Sequence, residues 1–161
     1  MSKRKAYRPR QMSLNPMRVA INRAATLTKQ ERGMIMGEAR PSFDRLREGR
    51  ANRQDWCYLA DAANVGEALA GIGICSDEAS RKILMDMQLA LKSIAERVNA
   101  SKCWTARGPE LSAILEGLDR HELQLQFCSL AELQRAVDIT RKQIQAAREG
   151  RVDCVTIVEA A

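Results

Sequence analysis

Aromatic residues are scarce: Trp56, Trp104, Tyr7, Tyr58, Phe43 and Phe127 are the only six in 161 residues. That argues against a β-sandwich and leaves Leu, Ile, Ala and Met to fill the interior, as in helical proteins. Histidine is scarcer still, with His121 alone, and one His cannot complete a usual Cys-His zinc set. Nor does any of the five cysteines (Cys57, Cys75, Cys103, Cys128, Cys154) lie within three residues of another. An odd, scattered set fits free thiols in a reducing cytoplasm better than a disulfide framework. No long apolar run offers a membrane span. The basic N-terminus lacks the apolar stretch of a secretory signal.

The motifs of catalysis are missing too. There is no Gly-rich phosphate loop and no Gly-x-Ser-x-Gly elbow. "HELQL" at residues 121–125 lacks the second histidine of a zinc-protease helix. His121 falls three residues after Leu118 and four before Leu125, so a buried, hydrogen-bonded side chain is expected. Cys57 and Cys128 read as packing residues. Cys103, between Lys102 and Trp104, is the one cysteine whose neighbours could lower a thiol pKa, and an inert loop cysteine is the simpler reading. We expect no catalysis, no metal and no cofactor.

What is present is positive charge, unevenly placed. Residues 1–54 hold fourteen Lys and Arg against four Asp and Glu, and residues 55–161 hold twelve against sixteen. Such asymmetry points to a polyanionic partner, or to a basic arm folding over an acidic body. The opening "MSKRKAYRPRQMSLN" places Lys3, Arg4, Lys5, Arg8 and Arg10 around Tyr7, with almost no apolar periodicity. Residues 1–14 therefore read as a flexible basic arm, either one able to neutralise phosphates and stack on a base or a solubilising tail. Arg18, Arg23, Arg32, Arg40, Arg45, Arg47, Arg50 and Arg53 extend the positive field onto the first helices. Guanidinium groups suit phosphates.

Residues 15–150 carry helical punctuation. Asn15 with Pro16 makes a helix start, and Met17, Ala20, Ile21 and Ala24 share one face. "TKQE" at residues 28–31 is a capping box, and Pro41 either kinks the helix that follows or opens another. A third helix runs from about Gln54 to the "GIG" of residues 71–73. It carries two apolar stripes, 58/62/65/69 and 56/59/60/63, which implies packing on two sides. Ser76 is expected to cap the next helix, with Ile83, Met87, Leu91, Ile94 and Val98 on its buried stripe and an end near Asn99. Pro109 opens a fifth helix with Leu111, Ile114, Leu115, Leu118 and Leu125. "SLAE" at residues 129–132 caps a sixth, lined by Leu130, Leu133, Val137, Ile144 and Ala147 and ended by Gly150. Short loops predict that the last three helices form an antiparallel group. The tail, residues 151–161, is β-prone and reads as frayed or as an edge for another chain.

One stretch bears directly on function. In "RANRQDWCYLADAANVGEALAGIG", residues 50–73, Leu59-Ala60, Asn64, Val65-Gly66 and Leu69 fall near the offsets of a helix-turn-helix. The 58/62/65/69 stripe nevertheless keeps helical phase across Asn64. The would-be recognition helix offers Gly66, Glu67, Ala68, Ala70 and Gly71, none of which reads base edges. One continuous helix is expected.

At "KAYRPR", "NVGEALAGIGI" and "ELQRAVDIT" the chain resembles a group of short proteins from phage-like and other mobile regions of proteobacterial genomes. The likeness covers most of the length from Arg50 to Arg148, plus the arm. It implies a bacterial cytoplasmic setting and a role accessory to a mobile element, and it carries no functional residue with it.

The sequence thus predicts a single all-α bundle of five to six helices with a basic arm. Its expected role is sequence-tolerant binding of DNA or RNA through Lys3, Arg4, Lys5, Tyr7, Arg8, Arg10, Arg18, Arg23, Arg50 and Arg53. The alternative is an interaction module that forms a homo-oligomer or docks an acidic protein.

Overall fold

The computed structural model describes residues 17, 20, 21, 24–101 and 103–149. Within them the chain is a single all-α domain of six helices: α1 Lys29–Met36, α2 Ala39–Arg47, α3 Arg53–Gly71, α4 Glu78–Ser101, α5 Gly108–Phe127 and α6 Leu130–Arg148. The basic arm, the helix start at Asn15-Pro16, Gly150 and the tail lie outside the described residues.

Local chemistry sets most boundaries. Thr28 caps α1: Glu31 N donates to its Oγ1 at 3.3 Å, and Thr28 N donates to Glu31 Oε2 at 2.7 Å. Pro41 does not kink a long helix but occupies the first turn of α2, where an amide has no intrahelical acceptor to lose. Gly49, at φ +69°, ends α2; its amide donates to Leu46 O at 3.1 Å, and Arg50 N donates to Arg45 O at 2.8 Å. Gly73, at φ +105°, ends α3 the same way, with Gly73 N on Ala70 O and Ile74 N on Leu69 O. Both are left-handed caps, which a residue with a Cβ would enter only with strain.

The cap of α4 is Asp77 rather than Ser76. Ser80 N donates to Asp77 Oδ1 at 2.9 Å, and a carboxylate suits a helix N-terminus better than a hydroxyl does. The helix also runs to Ser101, past the expected end at Asn99. Ser129 caps α6 with Glu132 reaching back, as the sequence implied.

The centre of the molecule is α3, which packs against α2, α4, α5 and α6. Its two apolar sides are thus both covered from within the chain. Trp56, 1% exposed, donates its Nε1–H to Leu91 O at 2.9 Å, so α3 and α4 run past each other with residue 56 beside 91 and residue 67 beside 88. The longest seam joins α4 and α5. Arg97 meets Glu110 and Met87 meets Gly117, so these two helices are antiparallel.

Of the expected antiparallel group of the last three helices only the α4–α5 pair forms, because α6 seats on α3 instead. Only Ala136 and Thr140 of α6 are buried; Leu130 is 45% exposed, and Leu133, Val137, Ile144 and Ala147 are half-buried. A helix resting on one neighbour through a narrow strip seals little, and clefts open along both of its flanks. In α4, Leu84 takes the buried place expected of Ile83, and in α5 Leu115 is exposed.

Gly117 makes the α4–α5 seam close. A Cβ there would sit 2.6 Å from Met87 Cβ and 2.8 Å from its Cγ. Met87 is fully buried, and its Cβ is fixed to backbone, so the side chain cannot swing clear. Gly117→Ala should therefore cost about 1–2 kcal/mol in urea unfolding, overpacking outweighing the gain in helix propensity. Gly71→Ala meets nothing within 4 Å and should be neutral or slightly stabilising in the same assay.

Candidate nucleic-acid interface

The folded part of the first third does not present its guanidinium groups freely. Arg40 Nη2 lies 2.7 Å from Asp119 Oδ1 and 2.5 Å from Glu122 Oε2, tying α2 to α5. Arg45 Nε donates to Asp55 Oδ1 at 2.6 Å. Arg47 pairs with Asp44 at 3.0 Å, and Arg50 pairs with Glu48. Arg32 Nη1 donates to Leu27 O at 2.9 Å. Of the six described arginines that extended the positive field in the sequence, four are matched by carboxylates of the same chain. An exposed pair such as Arg50–Glu48 contributes little to stability, but a phosphate would have to displace the carboxylate.

Arg53 differs. It is exposed at the first position of α3 and has no ion pair among the described residues, as is also true of Lys29 in α1. Lys3, Arg4, Lys5, Tyr7, Arg8, Arg10, Arg18 and Arg23 lie outside the described residues. Pairing redraws the charge map. Residues 1–23 hold seven Lys and Arg and no Asp or Glu, whereas residues 24–149 hold eighteen of each sign. The helical domain is formally neutral, and the excess charge belongs to the segment before it.

Asp55 is the partner the sequence reading missed, although Asn52-x-x-Asp55 has the spacing of a capping box. Asn52 Oδ1 accepts from Gln54 N and Asp55 N, and Asn52 N donates to Asp55 Oδ2 at 2.9 Å. The carboxylate, 2% exposed, also accepts from Ser42 Oγ at 3.1 Å. Burial pushes its pKa up, but Arg45, the Asn52 amide and Ser42 together hold it below the ordinary carboxylate range.

The helix-turn-helix reading is excluded, since α3 runs unbroken through Asn64. Asn64 is 4% exposed; its backbone carbonyl accepts from Thr140 Oγ1 at 3.3 Å and its Oδ1 from Gln88 Nε2 at 3.2 Å. Gln88 Nε2 also donates to Glu67 Oε2 at 2.8 Å. The residues that mimic a DNA reader instead form a polar seam joining α3, α4 and α6. Asn64 Nδ2 and Gln88 Oε1 remain buried there without a partner among the described residues, each at a cost of about 1–3 kcal/mol.

His121 is buried, as its place on α5 implied, and its partner is Gln124 rather than Glu122 or a cysteine. Burial drives its pKa down to about 4, so the ring is neutral near pH 7. Cys57 is half-buried and Cys128 buried, and burial raises both thiol pKa values. Cys103 is exposed in the link between α4 and α5. Among the described residues no group of three or more His, Cys, Asp and Glu could hold a metal ion, and no helix is long and apolar enough to cross a membrane. No family model, curated protein or solved structure matches the chain.

His121 makes a pH prediction. The unfolded ring takes a proton near pH 6.5, the folded one only near pH 4. Stability is therefore full above pH 6.5 and falls as pH drops, by about 3 kcal/mol at pH 4 from this residue. Urea unfolding at pH 7, 5.5 and 4 should show that His121→Gln removes this part of the acid sensitivity.

Proposed function

We propose that the protein is a non-catalytic accessory protein of a bacterial mobile element, acting in the cytoplasm, that binds DNA or RNA without sequence preference through residues 1–23. Lys3, Arg4, Lys5, Arg8, Arg10, Arg18 and Arg23 would contact phosphates, and Tyr7 would stack on a base. One observation carries the reading: seven cations with no acid precede a helical domain of eighteen cations and eighteen acids. Arg53 and Lys29 would add secondary contacts. Arg40, Arg45, Arg47 and Arg50, being ion-paired, are assigned to the fold rather than to the nucleic acid.

The test is fluorescence anisotropy with random-sequence DNA and RNA over a range of salt. Each phosphate contact adds about 0.9 to the slope of log affinity against log salt on duplex DNA. Deleting residues 1–10, which hold five Lys and Arg, should flatten that slope by about four, whereas Arg47→Ala should change it by less than one. Equal slopes for the full-length and truncated chains would remove the proposal.

A second reading, an interaction module, loses the two-sided apolar helix as support, since α3 is covered by its own chain. It retains Phe127 and Leu130, 62% and 45% exposed at the α5–α6 link. Sedimentation showing a monomer at every concentration would leave it without a homo-oligomer.

A further inference from the structure

The flank of α6 that carries Leu133 and Val137 opens on a cleft of about 330 Å³. Its floor is Ala39, Ala62 and His121, all buried, and its walls include Ile35 and Val65. Glu38, Tyr58 and Asp61 supply the polar part of the lining, which contains two carboxylates and no Lys or Arg.

Two of these groups have an acceptor atom with no partner among the described residues. Gln124 Nε2 donates to Gly66 O at 2.9 Å and to Ile74 O at 3.1 Å, which fixes the amide orientation and leaves its Oε1 facing His121 Nδ1 at 3.4 Å. An oxygen there requires the ring proton on Nδ1, so Nε2 of the neutral ring keeps a bare lone pair. His121 is 2% exposed and lines the cleft, and no described residue donates to its Nε2. Asp61 is the second. It is exposed on the cleft side of α3 with no ion pair or hydrogen bond among the described residues, and partial loss of water around its carboxyl pushes the pKa up. A carboxylate in that position is stabilised by an arriving cation. Apolar walls with a few convergent acceptors and no competing cation define the ligand by complementarity.

We propose that this cleft is a binding site for a small apolar amine, its hydrocarbon body held among Ile35, Val65, Leu133 and Val137 and its ammonium group taken up by Asp61 and His121 Nε2.

The experiment is an NMR titration of the full chain with cyclohexylmethylamine and, as a shape-matched anion, cyclohexanecarboxylate. The amine should move the His121 ring-nitrogen resonances and the backbone amides of residues 61–65 and 133–137 in a saturable way, and the carboxylate should not. Asp61→Asn should weaken amine binding about fivefold, the loss of one partly solvated charge contact. Val137→Phe, which extends a ring into the cleft from a half-buried position, should weaken it tenfold or more. Circular dichroism melts establish that each variant is folded. If millimolar amine leaves the His121 ring unmoved in the wild-type chain, or if the carboxylate binds as well as the amine, the proposal is overturned.

Discussion

Everything in this domain is arranged around the burial of α3. A helix packed by four neighbours buries most of its length, so the polar groups it takes inside are mostly answered from within the chain, with Asn64 Nδ2 left over and Asp61 on the exposed side. Asp55 is answered by Arg45 and Ser42, the Trp56 Nε1–H by Leu91 O, Asn64 by Gln88 and Thr140, and Gly66 O by Gln124. Small residues make such crowding feasible. Ala60, Ala63 and Ala70 are buried, and a Cβ at Gly66 would sit 2.9 Å from Leu84 Cδ2. The Leu-Ala, Asn and Val-Gly residues that imitate a DNA-binding turn are explained by packing density.

The same constraint governs charge. The helices that surround α3 are tied together by ion pairs, Arg40 to α5 and Arg97 to Glu110 across the α4–α5 link. Arginine is the side chain suited to that task, because its planar donors match a carboxylate in fixed geometry. Ion pairs engage Arg40, Arg45, Arg47, Arg50 and Arg97, and the domain as a whole carries as many acids as bases. The formal excess of positive charge lies in residues 1–23, ahead of the helical domain.

Much of the fold was legible because helix ends are written locally. Both Ser/Thr capping boxes, the end of α3 at the "GIG" of residues 71–73 and the phase of the 58/62/65/69 stripe across Asn64 depend on residues a few positions apart. The docking of α6 was not legible. It rests on Ala136 and Thr140, which carry weaker hydropathy signals than the half-exposed Leu133 and Val137 beside them. Pairings such as Arg40 with Asp119 and Glu122 join residues about eighty apart, which no local pattern encodes. The polar half of the cleft was hidden likewise. His121 was read correctly as buried, but Asp61, across the cleft on α3, gave no local sign that it would share its surroundings.

The central claim, that α3 is one unbroken buried axis, is tested most directly by native-state hydrogen exchange along residues 53–71. Amides from residue 57 to residue 69, including 64–66, should be among the slowest in the molecule and exchange together through global unfolding. Fast exchange confined to residues 64–66, with slow amides on either side, would mean a turn at Asn64 and would contradict the account.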